Sequence, residues 1–271
     1  MPTDVSINDR EFAAIRELAY RLAGISMGPG KKALIESRWR KRLKALGLGS
    51  YREYVQLIGR PDRREELQTA IDLLTTNETY FFREPRHFDH LRDQILKRRA
   101  PGVKIRIWSA ACSSGEEPYS IAMLLADVLG NVEWEVMASD LSTTVLAKAR
   151  AGHFPMTRAQ GVPEQYLRDH CLKGTGPQQG TMLIAPGLRK RVQFMHLNLL
   201  ETPPQLGPFQ VIFLRNVMIY FDLDTKRKVI ANLLPQLAPG GFLYVGHSET
   251  LNGVVDNLDQ VSAAIYRKAG P

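Results

Sequence analysis

The chain has 271 residues, 44% apolar and 24% charged, with 36 basic against 28 acidic side chains and a formal charge of +8. That supplies one large core or two smaller ones, and no run approaches the ~18 apolar residues of a membrane-spanning helix, which excludes direct membrane insertion by helices. The positive balance fits an acidic partner, whether nucleic acid, an anionic membrane surface or an acidic protein.

The opening MPTDVSINDREF is polar and carries acids, unlike a secretory leader, so a soluble, cytoplasmic protein is expected. Apolar residues then recur at helical spacing in FAAIRELAYRL and KKALIESRWRKRLKAL, with GISMGPG as a breaker between them. SYREYVQLIG and REELQTAIDLLTT read as further short helices, and residues 1–75 as an all-helical N-terminal domain. Residues 76–100 form a linker and the start of a second domain, 101–271. There VKIRIWS is a buried strand, AACSSGEE a loop and PYSIAMLLADVLG a helix with Pro118 in its first turn. WEVMASD is the next strand, and STTVLAKARAG the next helix, with Ser142 as its N-cap.

The alternation then breaks. Residues about 153–190 are rich in glycine and proline and read as an insertion with a small antiparallel hairpin around TGPQQG. It resumes with VQFMHLN, FQVIFLRN and the helix LDTKRKVIANLLPQL; Gly240 and Gly241 then turn the chain into FLYVGH. QVSAAIYRK is expected as one closing strand. The fold class is α/β, a mostly parallel doubly wound sheet with a small antiparallel β-subdomain inserted, preceded by the helical domain.

In such sheets ligands bind beyond the carboxyl ends of the strands. After the first strand, SAACSSG is all small residues and lets a ligand approach the backbone. Glu116 and Glu117 follow at a helix start, where carboxylates repel a phosphate, and the loop lacks both GxGxxG and a GK[ST] ending. The expected ligand is therefore a nucleoside without a pyrophosphate, cationic for preference, which S-adenosylmethionine satisfies. Asp140, ending the second strand, either accepts from both ribose hydroxyls or caps the helix after it. Glu116 and Glu117 also complement the helix dipole. Cys112 and Cys171 have no partner cysteine at metal-ligand spacing and read as free thiols. His153, His170, His196 and His247 form no metal pattern, although His247 is placed at the pocket edge.

Several segments together resemble the CheR family of chemotaxis receptor methyltransferases: TTNETYFFRE (75–84), WSAACSSGEEPYSIAM (108–123), ASDLS (138–142), NLLE (198–201), FLRNVMIYF (213–221) and GHSE (246–249). The resemblance covers nearly the whole chain. It implies a class I methyltransferase fold and methyl transfer from S-adenosylmethionine to receptor glutamates, giving γ-methyl esters and S-adenosylhomocysteine. Mapped residue by residue, it implies cofactor contacts at Asn77, Thr79, Arg83, Glu117, Asp140, Asn198, Leu199, Arg215 and Asn216, with Glu116 open as the alternative acid. Ser114 stands where the family frequently has threonine, which keeps a hydroxyl.

A glutamate carboxylate, with a reference pKa of ~4.3, is ionised near neutrality and needs no general base; nor does its methylation need a metal. Arg83 is the expected catalytic residue, orienting the acceptor carboxylate through paired hydrogen bonds, against the bland reading of an ion pair with Glu84 or another acid. Tyr220 is the second, its hydroxyl reaching the carboxylate or the cofactor, against a half-buried core tyrosine. Arg38, Lys41 and Arg42, on one face of a helix with seven basic residues and one glutamate, are expected to dock an acidic receptor bundle. The insertion is expected to hold a receptor tail peptide at a sheet edge. A nucleic-acid methyltransferase lacks its NPPY-type motif and aromatic-interleaved groove here. A silent cofactor-binding adaptor does not explain Arg83, Asp140 and Tyr220 together, and a nicotinamide dehydrogenase lacks its glycine fingerprint. A monomer without nucleic acid is the expected state.

Overall fold

The computed structural model describes residues 6–100, 102–130 and 132–270. The first five residues, MPTDV, and Pro101 of the KRRAPG turn thus lie outside the described residues. The chain divides into two compact units. One takes residues up to Thr76 together with Tyr220–Thr225, the other Asn77–Ile219 and the residues from Lys226 onward.

The first unit holds α1 (Asp9–Ala23), α2 (Lys32–Leu46), α3 (Tyr51–Ile58) and α4 (Arg64–Leu74). Helix α1 begins with a reciprocal cap: Asn8 Oδ1 accepts from Glu11 N at 2.9 Å, and Glu11 Oε2 accepts from Asn8 N at 3.0 Å. It ends at Gly24 in the left-handed region, where the breaker was expected. Ser50 caps α3. The buried faces meet around Ile15, Ile35, Trp39, Tyr51, Tyr54 and Ile58, with Trp39 and Tyr54 edge to face at 4.9 Å.

The basic face of α2 divides in its work. Arg38 donates to the carbonyls of Leu74 and Thr75 at 2.7 and 3.0 Å and to Thr76 Oγ1 at 2.9 Å, closing the last turn of α4. Arg42 grips Glu66 with two hydrogen bonds, and the Tyr54 hydroxyl donates to the same carboxylate at 2.7 Å. These contacts hold Glu66 below the usual carboxylate range, while burial pushes Tyr54 up. Lys41 is exposed. The expected docking triad thus presents Lys41 to solvent, with Arg38 and Arg42 engaged inside their own unit.

The second unit carries α5 (Pro85–His90), β1 (Ile105–Ser109), α6 (Glu116–Leu129), β2 (Trp134–Asp140), α7 (Thr143–Ala151) and β3 (His153–Pro155). There follow α8 (Glu164–His170), β4 (Cys171–Lys173), β5 (Thr181–Ile184), α9 (Pro186–Arg189), β6 (Val192–His196), β7 (Phe209–Leu214), α10 (Leu223–Leu233, begun in the first unit), β8 (Leu237–Val245), β9 (Leu258–Ser262) and β10 (Ile265–Lys268). The seven-stranded sheet runs β6-β2-β1-β7-β8-β10-β9. Its first five strands are parallel and β10 is antiparallel to both neighbours. Strand order reverses between β1 and β7, so the chain leaves these two strands in opposite directions and opens a crevice at their carboxyl ends. Ile105, Ile107, Val136, Val211 and Phe213 are buried with the apolar face of α6 in one core, as a sheet covered on both faces requires.

Two details depart from the expected elements. QVSAAIYRK is part of a hairpin rather than one strand: β9 and β10 turn at Ala263-Ala264, with Ala264 at φ 60. Two alanines carry none of the usual turn chemistry, so the sequence pattern runs straight through them. The insertion contains the expected hairpin, β4 and β5, but β3 adds to it, giving a three-stranded sheet ordered β3-β5-β4. Phe154, Met182, Ile184 and Leu188 join the core of the large sheet.

Glu66→Ala leaves the buried Tyr54 hydroxyl and Arg42 without their shared acceptor. A loss of about 1–3 kcal/mol is expected in urea unfolding of the whole chain. Because the folded pKa of Glu66 is depressed, its contribution is present above the usual carboxylate pKa and lost as pH falls through the folded value; the variant should lack that component of the acid sensitivity.

Candidate active site

The backbone itself marks the site. Five non-glycine residues among those described have positive φ, and four of them, Phe82, Glu84, Ser113 and Asn216, fall in the strand-end segments or the FFRE motif. Such conformations cost about 1–3 kcal/mol each where the residue has no local compensation, and they persist where surrounding contacts over-determine them.

The loop after β1 is pinned on both sides. Ala110 N donates to Phe213 O of β7 at 2.8 Å, and Cys112 N to Ser139 O of β2 at 2.8 Å. Gly115, at φ 102, starts α6, and a Cβ there would lie 2.9 Å from Ala149 Cβ in α7. The small-residue run is thus needed by the protein's own packing as well as by any ligand. Ser113 N donates to Asp140 Oδ2 at 2.8 Å, and Ser142 N to Asp140 Oδ1 at 2.9 Å. Ser142 Oγ, not Asp140, caps α7. Both Asp140 oxygens thus act as acceptors at the end of β2. Leu197 N donates to Asp140 O at 3.1 Å, which brings Asn198 and the buried Leu199 to the neighbouring strand end.

The two adjacent acids have different surroundings. Glu116 is fully buried and ion-paired to Arg158 from the insertion, with Ser114 Oγ donating to it at 2.7 Å. Glu117 turns to the β1 and β7 ends: Ser109 Oγ donates to one oxygen at 2.6 Å and Arg215 Nη1 to the other at 3.1 Å. Burial pushes the Glu117 carboxyl up, with Arg215 and Ser109 opposing.

Arg215 is the hub, with its side chain 2% exposed. Besides Glu117 it donates from Nε to Glu84 Oε2 at 3.2 Å and from Nη2 to the Arg83 carbonyl. Glu84 Oε1 accepts from Asn216 Nδ2 at 3.3 Å and from His247 N at 3.2 Å. Burial raises the cost of the Glu84 charge, but Arg215 and these donors leave its carboxyl below the usual range. A second acid missed in the sequence, Glu249 of GHSE, accepts from the backbone N–H groups of Asn216, Gly246 and Ile219 at 2.9, 2.6 and 3.1 Å. It joins the β7 and β8 exits. The signal for both was present as acids closing the FFRE and GHSE motifs, but neither spacing nor periodicity says what an acid there will hold.

Arg83 is half-buried, donates to Glu78 O at 3.0 Å and lies over the Tyr80 ring at 5.7 Å. It does not form the ion pair with Glu84 that the bland reading supposed, because Glu84 turns to Arg215. Asn77 and Thr79 are half-buried; Asn77 O accepts from Ser113 Oγ at 3.3 Å, joining that segment to the β1 loop. Tyr220 falls in the helical unit, where its carbonyl accepts from Ser26 N at 2.8 Å. The fold also brings His87 and His247 beside Glu84, with ligand-capable atoms within 4.8 Å of one another, a grouping no sequence spacing suggested. Burial and the Arg215 charge push His87 down to about 3, so it is neutral near pH 7.

Residues 77–267 match the family model described as CheR methyltransferase, SAM binding domain, and residues 10–75 match CheR methyltransferase, all-alpha domain. The chain is 39% identical over 269 residues to the chemotaxis protein methyltransferase of Salmonella typhimurium, covering 98% of this chain and 92% of that one. The Escherichia coli protein of the same name is 41% identical over 257 residues, covering 93% and 88%. Chemotaxis protein methyltransferase 2 of Pseudomonas aeruginosa is 39% identical over 262 residues, covering 96% and 93%.

A Cβ on Gly246 would sit 2.4 Å from Asn216 Nδ2 and 2.8 Å from Glu249 Oε2. Gly246→Ala should therefore separate the β7 and β8 exits, which amide hydrogen exchange would register as faster exchange at Asn216 and Ile219, while the α1–α4 amides stay as protected as in the parent chain.

Proposed function

The chain belongs to the CheR methyltransferase family, and from that premise we propose that it esterifies glutamate side chains of chemotaxis receptors with the methyl group of S-adenosylmethionine. The observation that carries this reading is the paired acids at the β1 and β2 ends. Asp140 presents a carboxylate oriented by backbone donors from two strand-end loops, and Glu117, its side chain 13% exposed, stands beside a small-residue loop. This chemistry suits a ribose diol and a cationic ligand, and it repels a phosphate.

When bound, S-adenosylmethionine supplies an electrophilic methyl group; the chain's own residues hold and orient the reacting partners. Asp140 accepts from the ribose hydroxyls. Asn198 and Leu199 lie at the next strand end; Asn77, whose carbonyl accepts from Ser113 Oγ, and Thr79 enter as further cofactor contacts that the family resemblance implies. Glu117, rather than Glu116, faces the cationic end, since Glu116 is already neutralised by Arg158. Arg83 orients the acceptor carboxylate. Its guanidinium, spared from an ion pair with Glu84, is available for that role. An ionised glutamate needs no proton removed, so the barrier is lowered by alignment and exclusion of water, effects worth ~7–11 kcal/mol in favourable cases. Tyr220 enters through the family resemblance as the second group on the acceptor. Lys41 is the docking cation, and the exposed strand β4, at the edge of the small sheet, is where a receptor tail peptide would add.

Incubation with methyl-labelled S-adenosylmethionine and receptor-containing membranes should give a product that releases volatile methanol in base. Label in nucleic acid, or no transfer, would overturn the assignment. Arg83→Ala should lower kcat/KM for the receptor by about 10²–10³-fold, the range for loss of one preorganised electrostatic contact. Lys41→Glu should raise KM for the receptor at low salt, leave cofactor affinity unchanged by calorimetry, and leave thermal unfolding within a degree or two of the parent. Cofactor affinity should fall on acidification at a pH above the ordinary carboxylate value of ~4.3, because the raised Glu117 must be ionised to hold a cation; Glu117→Gln should remove that component of the profile.

A further inference from the structure

Glu84 is absent from every role considered so far, yet it holds three site elements at once. Its own backbone is left-handed at φ 59, immediately after Arg83 and before α5. One oxygen accepts from the Asn216 amide and from His247 N, and the other from Arg215 Nε. An asparagine amide has one donor end and one acceptor end. With Nδ2 committed to Glu84, Asn216 turns its Oδ1 away from that acid. Arg215 has all three guanidinium nitrogens engaged, on Glu84, Glu117 and the Arg83 carbonyl. Its side chain is therefore an internal tie between two acids rather than a free donor for a ligand.

We propose that Glu84 is a positioning residue: by sharing Arg215 with Glu117 and fixing the Asn216 amide, it makes the strand-end crevice present acceptors to the cationic end of its ligand. Without the Glu84 charge, Arg215 leans on Glu117 alone and neutralises the acid placed for the ligand's cationic end. The Asn216 amide also becomes free to rotate. The inference rests on the proposed use of S-adenosylmethionine and assigns the selection of its charged end to a residue that acts through others.

The test compares two ligands by calorimetry on the full chain: S-adenosylmethionine, and 5′-methylthioadenosine, a neutral nucleoside thioether lacking the amino-acid portion. Glu84→Gln should weaken S-adenosylmethionine by about tenfold or more, the scale for loss of a charge-assisted contact, and change methylthioadenosine by less than about twofold. Asn216→Gly keeps the positive φ and removes the amide; it should give the same selective loss, and it carries the test if Glu84→Gln does not fold. Equal weakening of both ligands would mean that Glu84 only supports the structure and would overturn the proposal. So would unchanged binding of S-adenosylmethionine by Glu84→Gln. If the parent chain binds S-adenosylmethionine in neither its own assay nor this one, the proposed function falls instead.

Discussion

The second unit is organised around one buried guanidinium. Arg215 leaves β7 at the switch point of the sheet, out of reach of bulk water, and removal from water costs a charge several kcal/mol unless partners replace its hydration. Glu84, Glu117 and the Arg83 carbonyl replace it. Those three groups come from the segment before the sheet and from the first helix after β1, so satisfying one side chain fixes three pieces of chain against each other. The left-handed residues Phe82, Glu84 and Asn216 lie at the joints where the backbone bends to deliver these groups, which is why local strain collects there.

The arrangement also divides charge in a way that suits the proposed carboxyl methylation. An acceptor that arrives ionised needs no base, and the unit accordingly spends its polar groups on holding parts in place. Glu249 gathers backbone donors from two loops, Asp140 from two others, and neither is free to swing. His87, kept neutral by burial and by the Arg215 charge, adds bulk beside Glu84 without adding a second cation there. The grouping of Glu84, His87 and His247 has the residue types of a metal site, but its carboxylate already serves the guanidinium, and the fixed positive charge beside it disfavours a second one.

Much of the fold was legible because its signals are local. The helices of the first unit announce themselves through apolar spacing, Asn8 and Ser50 caps and the Gly24 stop. The parallel strands appear as short β-branched runs, and Asp140 and Asn216 at their ends follow from the sheet's topology, whereas Arg215 entered only through the family resemblance. What the sequence withheld is non-local. Whether Glu116 or Glu117 faces the crevice depends on Arg158, 42 residues away from Glu116. That Arg38 and Arg42 are engaged within the helical unit depends on the end of α4 and on Glu66. β3 is too short to carry an alternating pattern, and the Ala263-Ala264 turn lacks turn residues, so neither leaves a mark in the sequence.

The bond between Arg158 and Glu116 has a bearing on how the β-subdomain can vary. Glu116 sits at the start of α6 with no water to solvate it, and its counter-charge is supplied by the inserted segment. A chimera carrying a different insertion must bring a cation to the same point or surrender the acid at 116, because an orphaned carboxylate there would unsettle the helix that also carries Glu117. Exchange of this module is thereby yoked to a single arginine, and the inserted segment cannot drift independently of the sheet it adorns.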